Sequence, residues 1–234
     1  VLADRFLPFA ALHHGLEINS PISVAMLEEA VAAMKISSTD RVLDIACGNG
    51  GLLWRLAERT RGAVGIDLSP WAIEAAAERL EANGVDAQLV LGDAAALPGE
   101  PMWDAIACVG AAWIFHGHAG TARALQRRLV HGGVALLGDL RARVRTPDLV
   151  VATKEEQHSV IRELGGRVLF DTVSRNTTWD AYGADVLAAA QRFAIEHAGV
   201  PAADQRGLAD RWIHDALHER DHLEFALTVV RFHR

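Results

Sequence analysis

Short apolar runs alternate with amphipathic stretches through the middle of the chain, a pattern that predicts strand–helix–strand units around a parallel sheet. The strand candidates are Arg41–Ile45, Ala63–Ile66, Ala87–Leu91, Ala105–Val109 and Val134–Gly138. Each is brief and apolar, as strands covered on both faces are. Ser69 is placed to cap a helix with Pro70 at its first position, an alanine-rich body over 72–82 and a stop near Asn83-Gly84. Thr121–Leu129 reads as another helix, ended by His131-Gly132-Gly133. Ahead of this core, Ser20-Pro21 opens a helix with Leu27, Val31 and Met34 on one stripe. After the fifth strand, Asp148–Gly165 reads as a helix, Arg167–Thr172 as a sixth strand and Leu223–Phe232 as the last. Two helices, Trp179–His197 and Ala203–Glu219, fill the gap between those strands, and an insertion of about forty residues there suits a functional cap better than a plain connection. Residues 1–19 hold Phe6, Leu7, Phe9, Leu12 and Leu16, too apolar for a free tail, and are expected to fold over a ligand mouth.

The first strand carries the chemistry. It ends on Asp44 and Ile45, and a Gly-x-Gly turn at Gly48 and Gly50 follows and opens a helix. Glycines let the backbone turn tightly beside a ligand, and the helix start offers free N–H groups. Asp67 closes the second strand, about where a Rossmann-like site holds its ribose-binding carboxylate. Asp44 then discriminates between ligands. A carboxylate just before the glycine turn repels a pyrophosphate but suits an ammonium group. The third glycine of the dinucleotide pattern is absent, since position 53 is Leu53. An NAD(P)-binding oxidoreductase therefore stays open only as a rival.

On these residues the chain resembles the class I S-adenosylmethionine (SAM)-dependent methyltransferases. Val42–Gly50 is similar to their first motif, Gly65–Pro70 to the second and Leu91–Ala94 to the third. Trp103–Val109 resembles the fourth strand and Gly132–Gly138 the fifth, all in order over roughly 40–140. Asn19–Ser23 and Trp179–Tyr182 resemble flanking segments of a small-molecule methyltransferase subgroup. The resemblance implies a Rossmann-like α/β fold: a seven-stranded, mostly parallel sheet with the last strand antiparallel, helices on both faces and a helical cap. It also implies one domain over 1–234, with an arm and helix in 1–38, a SAM-binding core in 40–140 and the insertion in 175–221.

The cofactor implied is SAM, with S-adenosyl-L-homocysteine (SAH) as product. In the resemblance Asp67 takes the ribose hydroxyls, Leu68 packs on the adenine, and Asp93 and Ala94 meet its edge. Ala46, Gly48, Asn49 and Gly50 border the methionine and ribose portions, and Asp44 holds the ammonium with help from the Cys108 carbonyl. The loop after the fourth strand, Gly110–His118, is where the class places acceptor-facing residues. It makes His116 the first candidate base and His118 the second, because a neutral imidazole titrates in a useful range. His13 and His14 are weaker candidates, and Trp113 and Phe115 are candidate walls. Ala111-Ala112 stands where enzymes that methylate exocyclic or amide nitrogens carry prolines. His116-x-His118 with Asp139 is not a closed zinc pattern, so no metal is expected.

Composition narrows the partners. At 234 residues, half of them hydrophobic, the chain can bury a full core. A net charge of −7 disfavours a binder that tracks a nucleic-acid backbone. Arg141, Arg143 and Arg145, with Arg127 and Arg128, form a local basic cluster that reads as a solvated face. The two cysteines, Cys47 and Cys108, lie inside motif segments rather than in a disulfide framework, as in a reducing compartment. Without a membrane-length apolar run or a leader-like start, a cytoplasmic protein is expected, with no membrane partner. The expected activity is methyl transfer to a small-molecule acceptor. A SAM-binding module without transferase activity is the other rival, and a homodimer stays open.

Overall fold

The computed structural model describes residues 2–145, 150–197, 207, 209–211, 214 and 220–233. Its centre is a seven-stranded sheet: β1 (Arg41–Ile45), β2 (Gly62–Asp67), β3 (Gln88–Leu91), β4 (Trp103–Val109), β5 (Leu129–Ala142), β6 (Gly166–Val173) and β7 (Leu223–Phe232). The strand order is β3-β2-β1-β4-β5-β7-β6. β7 runs antiparallel to both neighbours, and β1 to β5 pair in parallel. Between β1 and β4 the order reverses, which opens a crevice at the carboxyl ends of the strands.

The helices are α1 (Leu2–Leu12), α2 (Val24–Met34), α3 (Gly51–Ala57), α4 (Pro70–Ala82), α5 (His118–Arg128), α6 (Lys154–Glu163) and α7 (Asn176–Glu196). Leu27, Val31 and Met34 of α2 and Leu52 and Leu56 of α3 pack against Val42, Ala105, Ala107, Leu136 and Leu227 on one face of the sheet. Leu53 and Leu80 extend that layer over β2 through α4. On the opposite face Leu43, Ile45, Ile106 and Leu137 pack under Leu125 of α5 and Ile161 of α6. No helix among the described residues is long and apolar enough to cross a membrane.

Local chemistry sets the helix starts. Ser69 accepts the Ala72 N–H at 3.3 Å, with Pro70 opening α4. α2 starts later than Ser20-Pro21 suggests, because Ser23 is the residue in extended geometry and its hydroxyl accepts the Met26 N–H at 3.2 Å. α6 starts at a reciprocal box in which Thr153 Oγ1 accepts the Glu156 N–H and Glu156 accepts the Thr153 N–H. The first two residues of the expected helix, Asp148 and Leu149, lie outside the described residues. α5 starts at His118, ahead of Thr121, because Gly117 precedes it with φ 95°, a conformation glycine tolerates.

β5 is much longer than the apolar run Val134–Gly138. It stays paired with β7 from Val134↔Arg231 to Ala142↔Leu223. Its polar end is sustained by Arg141, fully buried, which donates to both oxygens of Asp171 at 2.6 and 3.0 Å and to Gln157 at 2.9 Å. α7 and α1 form the cap. Leu12 and Leu16 pack on Tyr182, Val186, Ala189 and Ala190, with Ala209 joining them. Most of the second expected helix, Ala203–Glu219, lies outside the described residues.

Candidate active site

Parallel pairing of β1 with β2 brings two carboxylates to one end of the sheet. Asp44 pairs across from Gly65, and Asp67 ends β2 two residues later. The loop between β1 and α3 then turns back over them. Gly50 adopts φ 76° and its Cα approaches Ala76 so closely that an added Cβ would lie 3.0 Å from the Ala76 Cα. A Cβ on Gly51 would meet the Glu17 carbonyl oxygen at 1.8 Å, so only glycine lets the N-terminal segment close onto the loop.

The two acids are held differently. Asp67 accepts the Gly48 N–H on Oδ2 and the Ser69 N–H on Oδ1, both at 2.9 Å. The Leu68 N–H also donates to this half-buried carboxylate, which still borders the crevice at the strand ends. Burial raises its pKa, and those backbone bonds partly offset the rise. Asp44 is 2% exposed and its Oδ2 is buried without a hydrogen-bond partner. Burial, then the charge of Asp67, pushes its carboxyl well above the usual range. A buried oxygen with nothing to accept is an open position for a cationic donor.

Both acids line one cavity of about 520 Å³, a size suited to a small-molecule ligand. Ala46, Gly48, Asn49, Leu68, Asp93 and Ala94 also form its wall. Gly50 and Cys108 do not: Gly50 caps α3 from behind, and Cys108 is buried in the layer under α5. Burial, first, raises the thiols of Cys47 and Cys108, so both stay protonated packing groups. The Asp93 carboxylate accepts the Ala95 N–H at 2.8 Å and starts a short turn over Ala94–Ala96.

The histidines fall elsewhere. The loop after β4 enters a short 3-10 turn, Ala112–Phe115, and reverses at His116, whose φ is 62°. Gly110, Ala111, Trp113 and Ile114 thereby face the cavity, while His116 is exposed outside it. His118 is buried with neither ring nitrogen partnered, and burial, then the charge of Arg141, lowers its pKa to about 4. Neither histidine is on the wall, so the base positions expected from the sequence are not beside the ligand space. Phe115 packs in the layer under α5 near Arg128 rather than on the wall. His13 is neutral and structural: it donates from Nδ1 to the Phe9 carbonyl and accepts the Tyr182 hydroxyl at 2.7 Å, with burial lowering its pKa to about 4. His14 binds Glu196 at 2.6 Å.

The N-terminal segment supplies walls that motif reading alone did not single out. Phe6, Phe9, Glu17, Ile18, Asn19, Ser20, Ile22 and Leu27 all reach the cavity. The signals were present in the apolar arm and in Asn19–Ser23, but no local pattern assigns them to a shared wall. Glu17 is fixed by Arg55 at 2.6 Å and Trp54 at 3.1 Å. Burial raises its pKa, but the bond and charge of Arg55 outweigh that and hold it low.

Residues 42–133 match the family model described as a methyltransferase domain. A SAM-dependent methyltransferase of Geobacter sulfurreducens, solved in complex with SAH, aligns with a TM-score of 0.83 at 25% identity, covering 96% of this chain and 97% of that one. Over residues 42–133 the chain is similar to the methyltransferase domains, and its fold throughout is similar to that of a SAM-dependent methyltransferase. The unpartnered Asp44 oxygen beside the Asp67 carboxylate fits a ligand that presents an ammonium and ribose hydroxyls. YjhP of Escherichia coli K12, an uncharacterised protein, is 32% identical over 126 residues, 52% of this chain. That match spans about half the length of YjhP, 50%. A 23S rRNA uracil-C5-methyltransferase, RlmD of Aeromonas salmonicida, is 34% identical over 71 residues, 30% of this chain and 16% of its own.

Proposed function

We propose that the protein transfers the methyl group of SAM to a small, partly apolar acceptor held in the cavity between the strand ends and α1. One observation carries this reading: the cavity that contains Asp44 and Asp67 continues into an apolar wall of Phe6, Phe9, Ile22, Leu27, Trp113 and Ile114. Cofactor residues and acceptor walls therefore share one enclosed space.

In this reading Asp67 receives the ribose hydroxyls, its carboxylate already oriented by the backbone N–H groups of Gly48, Leu68 and Ser69. Leu68, Asp93 and Ala94 border the adenine. Asp44 meets the ammonium, and Gly48 and Asn49 close the loop around the amino-acid portion. The cofactor supplies a methyl on an activated sulfonium leaving group. Acceleration then comes from positioning and from exclusion of water by the apolar wall, with no dedicated base required for a nucleophile that attacks without first losing a proton. The arm, the core and the insertion act as one domain, with α1 and α7 as its cap.

The RNA alternative rests on the short match to RlmD, 30% of this chain. The chain's net charge of −7 weighs against it. The deciding experiment pairs calorimetric titration of SAH and NAD with labelled-methyl transfer into cell extract split into dialysable metabolites and RNA. SAH binding with label in the metabolite fraction is expected. Label in RNA alone would replace the acceptor, tight NAD binding without SAH binding would replace the family of reaction, and SAH binding without any transfer would leave a binding module.

A further inference from the structure

The acceptor side of the cavity has a definite chemical character. Trp113 and Phe9 come from separate elements, the turn after β4 and helix α1, and both line the cavity. They nevertheless remain 72% and 48% exposed. Large aromatic faces left open at the rim of a cavity mark where an apolar ligand is to be covered. Phe6, Ile22, Leu27 and Ile114 continue that surface inward.

The charged-type residues of the same described wall are carboxylic acids: Glu17, Asp44, Asp67 and Asp93. Arg55 answers Glu17. Arg55 and Arg79 reach this region from behind the wall: Arg55 is spent on Glu17 and on Glu28 at 2.5 Å, and Arg79 donates to the carbonyls of Asn49 and Leu16. The neutral hydrogen-bonding groups on the wall beside the apolar residues are Asn19 and Ser20. With Asp44, Asp67 and Asp93 taken by the cofactor, an anion entering here would lose water, find no cation among the described wall residues to receive it, and face Glu17. A neutral group loses less, and a cation meets Glu17 and aromatic faces that attract it.

Resting on the methyltransferase reading, we propose that the acceptor is an apolar-bodied molecule carrying no carboxylate or phosphate, with its apolar body packed against Trp113 and Phe9. Its nucleophile attacks the sulfonium methyl, the carbon–sulfur bond breaks to give SAH, and any proton released from the product goes to water.

The test uses three probes with one ring system: 1-naphthylmethylamine, 1-naphthalenemethanol and 1-naphthaleneacetic acid, titrated into the full chain already saturated with SAH. The amine and the alcohol are expected to bind, and the acid to bind at least about tenfold more weakly. Trp113→Ala and Phe9→Ala should each weaken the alcohol roughly three- to tenfold while SAH affinity holds. Both positions are exposed enough that folding should survive, which thermal melts would check. Equal or tighter binding of the acid, binding of none of the three, or indifference to both substitutions would overturn the inference while leaving SAH binding intact. Failure of SAH itself to bind would remove the methyltransferase reading, and this inference with it.

Discussion

Asn49, in the glycine loop, donates its side-chain amide to the His13 carbonyl at 2.7 Å and to the Leu16 carbonyl at 3.0 Å. Arg79 of α4 reinforces the joint by donating to the Asn49 carbonyl at 2.7 Å and to Leu16 at 3.1 Å. The cofactor loop and the N-terminal cap are thus one hydrogen-bonded unit, although the residues are far apart in the chain. Asn49→Ala removes two of the hydrogen bonds at this joint, leaving the His13 carbonyl to the Leu16 N–H and the Leu16 carbonyl to Arg79, a loss of about 1–2 kcal/mol. The cap should then open more often, with amide exchange across residues 13–16 rising roughly tenfold and SAH binding weakening about three- to tenfold. Unchanged exchange would mean that apolar packing of α1 on α7 alone holds the cap.

Asp44 should trade stability for binding. Its folded pKa is raised, so the unfolded chain gives up this proton first. Stability of the ligand-free protein therefore falls as pH rises from the ordinary carboxylate range towards the raised folded value. Binding of an ammonium runs the other way and strengthens as Asp44 ionises. Asp44→Asn should lower SAH affinity by at least about tenfold and remove that part of the pH dependence. The ligand-free melting temperature should hold or rise near neutral pH. Wild-type SAH affinity in the variant would show that the ammonium is held elsewhere.

The fold was legible wherever local pattern and tertiary role agree. β1 to β4 are short apolar runs bounded by glycine or charge, and Ser69-Pro70 marks the start of α4 without any need for context. β5 was not, because Gly132-Gly133 reads as a stop and Arg141 as surface. Only Asp171, Gln157 and Thr228, drawn in from β6, α6 and β7, make a buried guanidinium tolerable. The cavity wall around Asp44 and Asp67 was legible because one loop and the strand ends carry it. The acceptor half was not, since the backbone reversal at His116 decides which side of its loop faces in. The bond between His13 and Tyr182, which seats α1 on α7, joins residues that no local periodicity relates.

His118 is a structural histidine with a pH signature. Burial holds its folded pKa at about 4, below the ordinary histidine value of 6.5, so the folded protein keeps it neutral while the unfolded chain takes up a proton. Stability from this residue is fully present above about pH 6.5 and is lost as pH falls towards 4, on the order of 2–3 kcal/mol in all. Because neither ring nitrogen has a partner, His118→Leu should be neutral or slightly stabilising at pH 7 and should flatten the acid limb of a melting-temperature profile. Methyl transfer should persist in it and in His116→Ala, measured with whichever acceptor the extract assay yields. A large loss of turnover with SAH affinity intact would return these residues to the chemistry.

Ala46 joins β1 to the glycine loop with φ 56°, a left-handed conformation that costs a residue with a Cβ about 1–2 kcal/mol. It also lines the cavity. Glycine there relieves the strain but adds freedom to the unfolded chain, a cost of about 0.4–1 kcal/mol. Ala46→Gly should therefore stay within about 1 kcal/mol of wild type in urea melts. A β-branched side chain tolerates this backbone far less, and it would also project into the ligand space. Ala46→Val should lower stability by about 1–3 kcal/mol and weaken SAH binding as well. A valine variant that melts and binds like wild type would show that the loop relaxes freely at this point, and that the geometry around Asp44 does not depend on the strained turn.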